Sequence, residues 1–185
     1  MEDKIRESFL RDSRDRAHAL AESTSVLSIL AEDGVPPNRY LCGLQDIEHL
    51  VKDGSGTVCH STDPIVFQIQ IPPDYLHCVD EHLGLKVVGM MTPIFHPNIA
   101  NHAVCLGEAF RPGTPVDEIV RMVYEVVAFQ NVTPDERNAF SAEACRYVRE
   151  HAEELKHLQI PPLKRRKFRA KATVVQAYRT RRHAL

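Results

Sequence analysis

Apolar and polar positions along the chain change period twice, and each change predicts a different kind of element. Residues 4 to 31 are mostly polar with recurring apolar positions. Leu20, Leu27 and Leu30 fit one helical face with Val26 beside them, which predicts an N-terminal helix ended by Gly34 and Pro36-Pro37. Ser23, Thr24 and Ser25 weaken its middle and mark a place where it can break. From Arg39 to Val88 the pattern is strand-like. Tyr40 to Val51, Thr57 to Thr62 and Ile65 to Ile71 are short β-compatible runs, separated by Asp53-Gly54-Ser55-Gly56 and by Asp63-Pro64. Phe67, Ile69 and Ile71 alternate with Gln68 and Gln70, the mark of a strand buried on one face. Leu85 to Met91 reads as a fourth strand, and the short connections predict a four-stranded antiparallel meander.

Further on, the helical period returns. Thr114-Pro115-Val116-Asp117 and Thr133-Pro134-Asp135-Glu136 each place a hydroxyl, a first-turn proline and acids in the order of a helix start. The first predicts a largely buried helix over about 115 to 130, rich in Ile119, Val120, Val123, Val126, Val127 and Phe129. The second predicts an amphipathic helix over about 134 to 158, with Phe140, Ala144, Tyr147, Val148 and Leu155 inward. The order of helix, meander, loop and two helices belongs to the α+β class. Ile160-Pro161-Pro162-Leu163 closes this part, giving a domain over 1–160 and a tail over 161–185.

Composition narrows the picture. With 185 residues and 43% apolar content, the chain suffices for one well-buried domain. No apolar run approaches the length that crosses a bilayer, and the N-terminus MEDKIRESFLRD lacks an apolar signal core, so a cytoplasmic protein is expected. Cys42, Cys59, Cys78, Cys105 and Cys145 are odd in number, scattered, and never form a C-x-x-C pair. That pattern argues against a disulfide framework or a cysteine zinc site and makes most of them small apolar fillers. The histidines are too scattered along the chain to argue a metal constellation.

The net charge of −2 hides a division. Nine basic residues and no acid follow Leu163, which leaves fourteen basic against twenty-five acidic residues before it. Such a tail suits nucleic acid, an acidic membrane surface, an acidic partner or the chain's own acidic body, and a solvated tail explains it equally well. Phe168 and Tyr178 are its only aromatic anchors, and it carries no recognised nucleic-acid motif, so no ligand is assigned to it.

The chemistry concentrates in PIFHPNIANHAVCL, Pro93 to Leu106, where a His-Pro-Asn turn lies just upstream of Cys105. A thiol can carry an acyl group as a thioester while a carboxamide donates to the developing oxyanion. From about Ile65 to Tyr147 the chain resembles the ubiquitin-conjugating enzyme family, especially its divergent bacterial members. IVFQIQIPPDYL resembles the family's third strand and its exit, HPNI its HPN signature, and VCL its catalytic cysteine segment. Phe110-Arg111-Pro112 resembles the family's Trp-x-Pro, and Asn131 to Tyr147, with Asn138, Ala139, Ala142 and Ala144, the start of a family helix. HPN alone is weak; together with Val-Cys-Leu and the element order it is fairly specific. Departures are an offset from His96 to Cys105 one residue shorter than usual, a shorter loop to Phe110, no Trp, and Leu76-His77-Cys78-Val79 in place of a proline-rich segment. They bear on loop shape and partner contacts and leave the thiol and the carboxamide in place.

The resemblance implies that Cys105 is the nucleophile, while the other four cysteines stay structural. Asn98 either stabilises the oxyanion or braces the loop beneath Cys105. His96 ties the turn to the backbone and Pro97 presets it. Asp135 falls near the position where the family places an acid or Ser beside the incoming lysine amine, although helix-start electrostatics also explain it and are the favoured account. Asp74 and Tyr75 are read as structural at a strand exit.

The expected function is therefore transfer of a ubiquitin-like protein from an activating enzyme, through a thioester on Cys105, to a lysine of a target protein. No metal or organic cofactor is implied. Two rivals are a catalytically silent binding module of the same fold and a nucleic-acid-associated scaffold driven by the tail. The presence of the cysteine argues against the silent module and the altered offset argues for it.

Overall fold

The computed structural model describes residues 2–77, 83–158, 160 and 163. Cys78 and the basic tail from Lys164 onward lie outside the described residues. Helix α1 spans Glu2–Glu22. It buries Leu10, Ser13, Ala17 and Leu20, a spacing of three and four residues that puts them on one face. The helix stops at the hydroxyl cluster: Ser23 Oγ donates to the Leu20 carbonyl at 2.7 Å, and Thr24 Oγ1 accepts from Val26 N–H at 3.2 Å. Beyond it, Leu27–Gly34 is strand β1 and not the rest of a helix. This corrects the expected N-terminal segment, which breaks where the serines and threonine sit. Leu27 lies in the core, and Leu30, half exposed, lies over Gly43 of the neighbouring strand.

Strand β2, Pro37–Leu44, pairs antiparallel with β1 through a turn in which Gly34 has φ +99° and the Val35–Pro36 peptide is cis. The run expected as one strand from Tyr40 to Val51 divides here. Its second part is β3, His49–Lys52, which pairs with β4, Val58–Ser61, as a separate two-stranded ribbon. The Asp53-Gly54-Ser55-Gly56 turn closes that ribbon, with Asp53 Oδ1 accepting from Ser55 and Thr57 N–H, both at 2.9 Å.

Strand β5, Ile65–Gln70, returns beside β2 and buries Ile65, Phe67 and Ile69 while Gln68 and Gln70 stay half exposed, as its alternation predicts. The segment expected as a fourth strand is a short helix α2, Leu83–Val87, followed by β6, Val88–Met90. Two very short strands, β7 at Ile99–Ala100 and β8 at Ala103–Val104, finish a six-stranded antiparallel sheet in the order β1-β2-β5-β6-β8-β7. The expected meander is thus interrupted by the β3–β4 ribbon and extended by β7 and β8.

Helix α3, Val116–Val127, is the buried helix of the sequence pattern, with Val116, Ile119, Val120, Val123, Val126 and Val127 all inside. Thr114 does not cap it. Its Oγ1 instead donates back to the Arg111 carbonyl at 2.7 Å. Arg16 of α1 grips Asp117 of α3 through two nitrogens, at 2.9 and 3.2 Å, docking the helices together. Helix α4 is shorter than expected, Ala142–Glu150, with Ser141 Oγ accepting from Ala144 N–H at 3.2 Å as its cap. A 3-10 turn, Glu154–Leu158, follows. Ile160 and Leu163 still pack against the main core, and the Leu163 carbonyl accepts from Arg121 at 2.9 Å.

Apolar side chains gather in two clusters. The larger fills the space between the sheet, α1 and α3; the smaller joins Leu50, Phe95, Phe129, Ala144, Leu155 and Leu158. The chain is α+β, with an N-terminal helix, an antiparallel sheet and further helices. No helix among the described residues is long and apolar enough to cross a membrane.

Candidate functional site

The Asn101-His102 pair sets the geometry around Cys105. Both residues have positive φ, +48° and +67°, which is the backbone of a two-residue hairpin turn whose twist suits the ribbon it closes. Asparagine tolerates that conformation better than most side chains. Across the turn Ala100 pairs with Ala103 and Ile99 with Val104. The next pair outward is Asn98 and Cys105, joined by a 2.8 Å bond from Cys105 N–H to the Asn98 carbonyl. Seven positions along the chain therefore become one rung of a ribbon, at the end of the sheet far from β1.

The side chains of the turn are deeply held. His96 is fully buried, and its Nδ1 accepts from Asn98 N–H at 3.0 Å. That bond leaves the proton on Nε2, which has no hydrogen-bond partner among the described residues. The ring meets Phe129 edge to face, centroids 4.5 Å apart. Burial drives the imidazole pKa down to about 3, so the ring is neutral across the ordinary pH range. His96 is a fixed wall and tie for the turn.

Phe129 reaches His96 by an unusual helix ending. It sits at φ +54° just after the Ala128 cap of α3, its N–H bonding Val126 O at 3.0 Å while Gln130 N–H bonds Glu125 O at 2.9 Å. Those two bonds define the motif in which glycine usually takes the left-handed position. Placing Phe there costs on the order of 1–3 kcal/mol of backbone strain and aims a ring at the turn.

Asn98 is also buried, at 1% exposure. Its Oδ1 accepts from Thr133 N–H at 2.8 Å and its Nδ2 donates to the Cys105 carbonyl at 3.4 Å. The carboxamide thus braces the segment after α3 against the cysteine segment. Pro97 contributes its carbonyl, which accepts from Ser141 N–H at 3.1 Å and ties the turn to the start of α4.

Cys105 is half-buried, and Gly107, Glu108 and Ala109 just beyond it are exposed. A second carboxamide stands near the segment: Asn131 Nδ2 donates to the Leu106 carbonyl at 3.5 Å. Gly107 has φ +82°, and a Cβ on it would lie 3.2 Å from that Nδ2, so glycine permits the close approach. Asn131, Thr133 and Gly107 form part of the site without having been singled out for it by the sequence. Their signal was local: an Asn after the helix and a Gly two residues past the thiol. A groove of about 260 Å³ flanks the hairpin, lined by Lys52, Thr92, Phe95, Ile99 and His102 among others; Cys105 is not part of its wall.

Asp135 is exposed on a turn two residues past Thr133, its Oδ1 accepting from Arg137 N–H at 3.0 Å. No helix begins there. The hydrogen bonds of Thr133 run to Asn98 and, through its carbonyl, to the Cys145 thiol at 3.3 Å. This corrects the expected helix start and, with it, the helix-dipole account of Asp135. Glu136 instead pairs with Arg149 and Arg146 of α4, which hold its carboxyl below the usual range.

Of the other described cysteines, Cys42 and Cys145 are buried, and Cys59 is half-buried as Cys105 is. Cys42 is buried on β2 and burial pushes its thiol up to about 12. Cys145 is buried and bonded to the Thr133 and Pro134 carbonyls, and Cys59 directs its thiol at the Val51 carbonyl. Tyr75 is buried, and its hydroxyl donates to the Thr114 carbonyl at 2.7 Å, linking the exit of β5 to the entry of α3. A scan against protein-family models and a search of curated proteins each return no match.

Proposed function

We propose that the chain is a ubiquitin-conjugating-type transferase with Cys105 as its nucleophile. The observation that carries the reading is the rung itself: a half-buried cysteine directly across a two-residue hairpin from a buried, doubly bonded asparagine. Cys105 thiolate attacks the thioester carbonyl of a ubiquitin-like protein carried by an activating enzyme; the new C–S bond forms as the old one breaks and the activating enzyme's thiolate leaves. A target lysine amine then attacks the same carbonyl. A C–N bond replaces the C–S bond, Cys105 leaves as thiolate, and the amine loses its proton. Exchange between two thioesters joins bonds of similar energy, so the thiol needs no strong activation.

Within this reading Asn98 works chiefly by position. With its oxygen on Thr133 and one amide hydrogen on the Cys105 carbonyl, it fixes the segment that carries the sulfur. Asp135 lies on the exposed turn beyond Thr133, where a carboxylate helps an incoming ammonium shed its proton. The activating enzyme, the ubiquitin-like protein and a lysine-bearing target are the partners, in a reducing compartment such as the cytoplasm that keeps the thiol free.

Incubation with an activating enzyme, ATP and its ubiquitin-like protein, resolved with and without thiol reductant, tests it. The expected product is a reductant-sensitive adduct, absent in Cys105→Ala and reductant-resistant in Cys105→Ser. An adduct that persists in Cys105→Ala moves the chemistry to another cysteine. A silent binding module, which the shortened His96-to-Cys105 offset favours, predicts binding of the ubiquitin-like protein with no adduct in the parent chain.

A further inference from the structure

Glu48, His60 and His157 come from three separate stretches: the turn before β3, strand β4 and the 3-10 turn. Folding brings one carboxylate oxygen and one nitrogen from each ring within 4.8 Å of one another. His60 Nδ1 lies 2.8 Å and His157 Nε2 3.5 Å from the same Glu48 Oε1. The two imidazoles are stacked, centroids 5.6 Å apart and 19° from parallel. We propose that this triad binds a late first-row divalent cation of the zinc class, which fastens the C-terminal 3-10 turn to the β3–β4 ribbon.

The hydrogen bonding of His157 points to it. Its Nδ1 is 2.6 Å from the Glu154 carbonyl, and a carbonyl only accepts, so Nδ1 carries the ring hydrogen. Nε2 is then the ring nitrogen turned toward the Glu48 carboxylate oxygen, 3.5 Å away, where it can ligate a cation that the carboxylate also binds. A remote ring N–H held by a backbone carbonyl is also how metal-bound histidines are commonly oriented. Zinc bonds of about 2.1 Å in a tetrahedral site set ligand atoms about 3.4 Å apart, and the two separations, 2.8 and 3.5 Å, lie to either side of that. His60 would ligate through Nδ1, its proton passing to the other ring nitrogen through solvent.

Two imidazoles and one carboxylate suit zinc, copper or nickel better than calcium or magnesium, which prefer all-oxygen sites. Three protein ligands leave the fourth position to water. Each side chain is 40–52% exposed, so the ion enters from solvent without any rearrangement of the core. The consequence reaches inward, because His157 sits between Leu155 and Leu158, both buried in the smaller apolar cluster with Phe95 and Phe129. An ion at the triad holds that cluster closed beneath the His96 turn. A proton is the competing occupant, giving an imidazolium–carboxylate pair with no metal.

Calorimetric titration of the untagged, chelator-treated full chain with ZnCl2 at pH 7.5 tests the site. One zinc per chain is expected, weakened at least tenfold in His60→Gln and in His157→Gln and lost in the double variant. The thermal midpoint should rise with zinc in the parent chain and stay fixed in His157→Gln, which also verifies that the variant folds. With CoCl2 the bound form should lack the sulfur-to-cobalt charge-transfer band that a cysteine ligand brings. Absence of stoichiometric binding, binding unchanged in the double variant, or a thiolate band would each overturn the proposal.

Discussion

The larger apolar cluster is filled around Ile65, Phe67, Ile69, Val120 and Val123, with buried Asp117 held by Arg16 where α1 meets α3, whereas the smaller one, built on Phe95 and Phe129, meets the buried His96 ring edge to face. Burial of apolar area is non-directional and decides which elements lie together. Hydrogen bonds are directional and decide where particular atoms point. The larger cluster therefore sets the frame, and the Asn98 bonds to Thr133 and Cys105 set the rung within it. Stability and site geometry can then be damaged separately.

Phe67→Ala probes the frame and should have the larger effect. Removing this fully buried ring costs about 3–5 kcal/mol, read as a lower denaturation midpoint with the site disturbed only through global unfolding. Asn98→Ala should cost less, about 1–3 kcal/mol, because it leaves the Thr133 N–H without its acceptor. Its signature is local: amide exchange at Thr133 should quicken well beyond the global loss. An equal loss of stability in both variants, with no local acceleration, would abolish the distinction between the two regions.

A third test separates the two regions by pH. His96 is neutral in the folded chain down to about pH 3, whereas the unfolded chain protonates it near its ordinary value of about 6.5. Its contribution is complete above 6.5 and is lost as pH falls toward 3, at up to about 1.4 kcal/mol per pH unit. Denaturation measured between pH 7 and pH 5 should show that slope in the parent chain and a shallower one in His96→Gln. Parallel slopes would mean that the ring is not held neutral by burial.

Much of the frame was legible because its elements are long enough to show a period. The alternation of Phe67 and Ile69 with glutamines and the valine-rich run of α3 both led to the right element. Strand β1 misled for the opposite reason: Leu20, Leu27 and Leu30 happen to fit a helical period, and the strand has a weak burial pattern of its own. The hydroxyls at Ser23 and Thr24 outweighed that period by taking up backbone groups at the helix end. The Thr133 helix start failed because tertiary bonds to Asn98 and Cys145 claimed its backbone, leaving the cap to Ser141.

At the site, the His-Pro-Asn turn and the thiol could be seen as neighbours in sequence, but strands of two residues are too short for any period to reveal. Phe129 in a left-handed position and the Asn131–Gly107 approach depend on how α3 ends. The gathering of Glu48, His60 and His157 needs contacts between residues up to 109 positions apart, which no local pattern carries.

The Asn101-His102 tip gives the segment parity. With two residues at the tip, Asn98 and Cys105 must have an even count between them, and six residues intervene. One added residue either forces a three-residue tip with a bulge or slides the sulfur off its rung and onto the opposite side of the ribbon. The meaningful separation of carboxamide and sulfur is thus a step across two strands, and an insertion of one is a harsher change than an insertion of two.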